Sequence, residues 1–123
     1  MHLLLIGVGG FLGAIARYTI DGWVTDATRS SFPWGTLVVN MSGSFALGLL
    51  FALTVERAAL PADLRAPVGI GFIGAYTTFS TFTLESLRLM QDGSWALAAA
   101  NLVGSVLLGM AAVFAGVALG RAI

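Results

Sequence analysis

The chain has 123 residues, of which 58% are hydrophobic and only 10% charged, and its six basic and six acidic residues cancel. With a mean hydropathy of +0.93, this is the composition of a small integral membrane protein and excludes an ordinary soluble domain. Cysteine is absent and the single histidine is His2, which excludes a disulfide framework, a thiolate nucleophile and a Cys- or His-based metal centre.

A membrane span needs roughly 20 mostly apolar residues. Four stretches qualify, giving an all-α, single-domain protein of four transmembrane helices. The first runs from about Leu3 to Trp23. Ala14-Ile15-Ala16 fits a small-x-small cleavage pattern, but no Lys or Arg precedes the apolar run and Arg17 follows directly. The segment therefore reads as a retained helix, not a signal peptide. Arg17 has two readings. It snorkels to the headgroups, or its five donors serve helix carbonyls or an anion in a vestibule.

The second span runs from Trp34 to Val55 and carries Thr36, Asn40 and Ser44 at four-residue spacing, a polar stripe on one helix face. Asn40 is its deepest amide. It makes either a helix–helix hydrogen bond or a donor pair in a pore.

The third span, Pro67 to Met90, contains Gly74-Ala75-Tyr76-Thr77-Thr78-Phe79-Ser80-Thr81-Phe82. The hydroxyls of Thr77, Thr78, Ser80 and Thr81 lie where lipid tails are expected. Polar groups at that depth mark a pathway or a polar interior. Gly and Thr weaken a helix, so a break near Gly74 and Thr77 is expected. It would expose carbonyls suited to a hard cation, or be no more than a kink. Phe79 and Phe82, three apart, share a helix face. They pack as core or lipid-facing rings, or turn their positive edges toward a dehydrated anion. Glu85 either pairs with Arg88 at the interface or acts as a gate or proton-linked carboxylate.

The fourth span, Trp95 to Leu119, carries a second polar stripe of Asn101 and Ser105, continued by Gly109. The two stripes either satisfy each other or line a narrow wet track. Connections are short, and Trp23, Trp34 and Trp95 mark span ends.

Four spans put both termini on one side with Arg57, Arg65 and Arg121, leaving Arg17, Arg29 and Arg88 on the other. Three against three gives no preferred orientation by the positive-inside rule. The count is either uninformative or the mark of dual topology, with copies inserted both ways and paired about a two-fold axis. Gly9 and Gly13, Ser44 and Gly48, and Gly116 and Gly120 are each spaced for close helix packing.

These motifs together resemble the small fluoride channels called Fluc or CrcB. The resemblance covers all four spans: Gly9–Tyr18, Gly35–Phe45, Gly71–Phe82 and Asn101–Gly109. The third motif is the most specific. The resemblance implies an antiparallel dual-topology homodimer with two pores, set in the lipid of the cell inner membrane. It implies passive export of fluoride through a pathway of Asn40, Phe79, Phe82 and Ser105. The hydroxyls of Thr36, Ser44, Thr78, Ser80 and Thr81 support that pathway, with Glu85 and Arg17 beside it. It also implies a structural sodium ion at the dimer centre, held by the Gly74 and Thr77 carbonyls of both subunits. One turn beyond Ser105 some members carry a second serine where this chain has Gly109. No organic cofactor and no nucleic-acid partner are expected.

The rival reading is a small dual-topology proton-coupled multidrug exporter. Such exporters resemble one another in a first-span glutamate, and here no acidic residue precedes Asp21. A structural subunit of a larger complex is a third reading. An enzyme is disfavoured, because no acid, base and nucleophile set is visible.

Overall fold

The computed structural model describes residues 1–123 and is all-helical. Helix α1 spans His2–Thr28 and ends where Arg29 turns left-handed (φ 47°, ψ 37°) with its N–H on the Thr25 carbonyl. A left-handed residue of this kind closes many helices. Helix α2 begins after Pro33, spans Trp34–Phe51 and widens into a π-helical turn over Ala52–Glu56. A turn through Ala58, at φ 49°, leads to a short 3-10 turn, Ala62–Leu64.

The chain then enters a π-helical segment, Arg65–Ile73, and one α-helical turn, α3 (Gly74–Tyr76). Thr77 is extended (φ −81°, ψ 158°), and helix resumes as α4, Ser80–Gln91. A turn at Gly93 (φ 78°) delivers α5, Trp95–Ala122.

Three helices are long and apolar enough to cross a membrane: His2–Thr28, Trp34–Glu56 and Trp95–Ala122. They correspond to the first, second and fourth predicted spans, each extended by a few residues. The stretch predicted as the third span is a succession of shorter helical pieces and not a fourth long apolar helix. Its hydroxyl residues, Glu85 and Arg88 lower its hydropathy, and the extended Thr77 interrupts its ladder.

Two backbone-to-backbone seams hold the bundle. The π-helical segment lies along α1, and α5 along α2. In the first seam a Cβ on Gly13 would overlap the Phe72 carbonyl, and one on Gly71 would meet the Ile6 carbonyl. In the second, a Cβ on Gly48 would overlap Val113 backbone and one on Gly116 would overlap Phe45 backbone. Small residues matter here because lipid removes most of the hydrophobic drive between helices and leaves close packing to do the work. The spaced glycines thus find their partners within the chain. At the end holding the termini, Arg121 makes two bonds to Glu56, at 2.6 and 2.7 Å, while Arg57 donates to the Arg121 carbonyl at 2.7 Å.

Candidate functional site

The interruption between α3 and α4 is held open by side chains that divert backbone amides. In a continuous α-helix the Thr78 N–H would bond to the Gly74 carbonyl, and the Thr81 N–H to the Thr77 carbonyl. Instead Thr78 N–H donates to Asn40 Oδ1 at 2.8 Å, and Thr81 N–H donates to Thr78 Oγ1 at 3.2 Å. Asn40 completes a two-way clamp by donating from Nδ2 to the Thr78 carbonyl at 2.9 Å. The Gly74 and Thr77 carbonyls are left without their helical partners. Neutral oxygen donors of this kind suit a hard cation such as sodium.

Beside this break lies a cavity of about 390 Å³. Asn40 and Ser44 from α2, Thr78 and Phe79 from the break, Phe82 from α4, and Ser105 and Gly109 from α5 all line it. The rings of Phe79 and Phe82 sit 5.9 Å apart at 52°, a tilted pair. Phe79 is 76% exposed while Phe82 is buried, so the pair runs from the surface inward. The lining thus combines polar side chains with a pair of aromatic rings.

A second cavity, of about 220 Å³, is lined by Arg17, Asp21, Thr36, Thr78 and Thr81 among others. Thr78 therefore borders both. Thr36 is buried and donates to Glu85 Oε1 at 2.5 Å. Glu85 in turn lines a third cavity, of about 280 Å³, with Arg88 and Asp92. The Thr36–Glu85 pair thus stands between the second and third cavities.

These contacts place the candidate residues as follows. Asn40 makes an inter-element hydrogen bond and also lines the cavity, so its two readings are not exclusive. The two polar stripes do not satisfy each other: Asn40 bonds to Thr78, whereas Asn101 bonds to Ser86. Glu85 forms no ion pair with Arg88; its partner is Thr36, and the chain's ion pair is Arg121–Glu56. Ser80 is exposed and lines none of these cavities. Asp21 and Ser86 belong to none of the sequence motifs. Asp21 is signalled only by Gly35, where any Cβ would collide with its carboxylate.

The chain matches the family described as CrcB-like protein, Camphor Resistance (CrcB), over residues 4–117. A Magnetococcus marinus protein named fluoride-specific ion channel FluC is 48% identical over 123 residues, covering 100% of both chains. A protein of the same name from Hahella chejuensis is 47% identical over 99% of this chain and 96% of its own. A third, from Rhizobium meliloti, is 42% identical over 98% of this chain and 97% of its own. Matches of this length take in every helix that builds the break and its cavities, and the chain belongs to the CrcB-like family.

Proposed function

We propose that this multi-pass membrane protein is a fluoride-selective channel, not an enzyme, through which cytoplasmic fluoride leaves passively. The observation that carries the proposal is the single cavity lined together by Asn40, Ser105 and the Phe79–Phe82 pair. Fluoride is small and strongly hydrated, so its dehydration is the main barrier. Asn40 keeps one Nδ2 hydrogen beyond the one given to Thr78. That hydrogen and the hydroxyls around the break replace water, and the ring edges add diffuse positive potential without a tight-binding full charge. The names of the relatives favour this reading over a proton-coupled drug exporter.

The functional unit in this reading is an antiparallel, dual-topology homodimer of single four-helix domains in the cell inner membrane. The exposure of Phe79 supports it, because the largely apolar cavity it leaves open also carries the polar groups of Asn40, Ser44, Thr78 and Ser105, which a second copy can cover and lipid cannot satisfy. A structural sodium ion at the dimer centre would be held by the Gly74 and Thr77 carbonyls of each copy. The two diverted amides support this assignment, since they leave those oxygens free.

Reconstituted liposomes are expected to release fluoride and retain chloride; equal rates for the two ions would sink the selectivity. Cysteine crosslinking is expected to capture antiparallel pairs, and capture of parallel pairs alone would overturn dual topology. Replacing sodium by N-methylglucamine is expected to lower the unfolding temperature, and an unchanged value would remove the sodium site.

A further inference from the structure

The second cavity, of about 220 Å³, brings two opposite charges of α1 to one space without joining them. Arg17 and Asp21 are one helical turn apart, and both line it with Thr36, Thr78 and Thr81. Neither forms an ion pair; the chain's ion pair is Arg121–Glu56. The Asp21 carboxylate accepts only from Thr25 Oγ1, at 3.4 Å. It packs instead against α2. A Cβ on Gly35 would overlap Asp21 Oδ1 and stand 2.9 Å from Thr25 Oγ1, so the carboxylate takes the space of a side chain at that position. Gly35 lies in the first turn of α2, where the positive end of the helix dipole favours a negative charge. A carboxylate without a cationic partner in a membrane-crossing helix is costly to keep, and such a residue points to function.

We infer that Asp21 sets how strongly this cavity holds an anion, its carboxylate offsetting the charge of Arg17 so that the ion is drawn in but not retained. The inference rests on the channel reading above. An anion in the cavity is attracted by the guanidinium and repelled by the carboxylate. Because the two charges do not pair, each acts on the ion separately. Alone, Arg17 would make the cavity a well that fills at low fluoride and empties slowly. With Asp21 in the same lining the well is shallower, and the ion moves on past Thr78, which also borders the Phe-lined cavity. Removing the Asp21 charge therefore deepens the well, and the fluoride concentration that half-saturates efflux falls.

The test is the initial rate of fluoride efflux from liposomes as a function of internal fluoride, for wild type, Asp21→Asn and Asp21→Ser. Asp21→Asn keeps the outline of the side chain and removes its charge. Half-saturating fluoride is expected to fall about fivefold, the effect in water of one unit charge at about 4 Å. Asp21→Ser, smaller and equally neutral, is expected to give the same fall. An impermeant salt at about 1 M, where the screening length is about 3 Å, is expected to shrink the fall in both. A half-saturating concentration unchanged or raised in Asp21→Asn overturns the inference. So does a fall in only one of two folded variants, or one indifferent to salt, since either would trace to packing beside Gly35. Each of these results leaves the channel reading intact, whereas a wild type that passes no fluoride defeats both. Should Asp21→Asn not fold, Asp21→Ser carries the test alone, with the same fall expected and an unchanged, raised or salt-indifferent value overturning the inference.

Discussion

Asn40 is the most informative residue to perturb, because one side chain holds both polar groups of the Thr78 peptide. Asn40→Leu keeps the branched outline of the side chain, at some cost in added bulk, and removes the two bonds, at 2.9 and 2.8 Å. Side-chain hydrogen bonds between membrane helices average about 0.6 kcal/mol and reach about 1.7. Two of them place the expected loss of stability at about 1–3 kcal/mol, read by reversible unfolding in mixed detergent and dodecyl sulfate. Loss of function is expected to be out of proportion to that figure. With Asn40 gone, the Thr78 N–H is free to return to the Gly74 carbonyl four residues back, which heals the helix and occupies an oxygen proposed for sodium. Fluoride efflux is then expected to fall to the background of empty liposomes, together with stabilisation by sodium. Asn40→Asp keeps the acceptor but sets an oxygen against the Thr78 carbonyl, and it too is expected to abolish efflux. The reasoning is refuted if Asn40→Leu folds with wild-type stability, or if it is destabilised as calculated yet retains full flux and its response to sodium.

Three further outcomes are expected. Phe82→Ile, which removes the buried ring of the tilted pair, severely reduces fluoride efflux without comparable loss of folded protein; wild-type flux would remove Phe82 from the pathway. Gly13→Ala destabilises by about 1–3 kcal/mol or more, because its methyl group overlaps the Phe72 backbone, whereas Gly104→Ala, with nothing within 4 Å, is neutral or stabilising by up to about 1 kcal/mol. Equal effects in unfolding experiments would dissolve the first seam. Glu56→Gln lowers thermal stability slightly at low salt by breaking the Arg121 pair, and the difference vanishes in high salt; a loss independent of salt would point to packing instead.

Hydropathy made three spans legible to within a few residues, because length and apolarity are additive along a chain. It marked 67–90 as a fourth span on the same ground, because an apolar average hides local breaks. The clustering of Gly74, Thr77, Thr78, Ser80 and Thr81 signalled a polar interior but not which amide leaves which carbonyl. That depends on Asn40, 38 residues away from Thr78, arriving at hydrogen-bond distance. Spacing also put Asn101 and Ser105 on one face, and they do bond to each other. It had no means of finding Ser86, whose role comes from α4 and α5 meeting across a turn. Glu85 shows the same limit: Arg88 is its neighbour along the chain, and Thr36 is its neighbour in space. Local periodicity reports which residues share a face, and a partner on another helix is fixed only by packing.

The break also explains why a cation and an anion belong to one proposed mechanism. Two of its amides are taken by side-chain oxygens, from Asn40 and Thr78, which leaves the Gly74 and Thr77 carbonyls without their helical partners. A surplus of unpaired acceptors carries negative potential, and it lies beside Thr78, which borders both the Phe-lined cavity and the one holding Arg17. An anion passing that wall would be repelled by the free oxygens. A sodium ion seated on them, as proposed, would remove the repulsion and, by Coulomb's law, would leave a weak net attraction. In that proposal, binding at the carbonyls and passage along the rings would be coupled through one residue, Thr78, whose peptide Asn40 holds in place. A tightly bound positive side chain at the same point would also attract fluoride but would retain it. A cation bound to backbone carbonyls would attract without trapping.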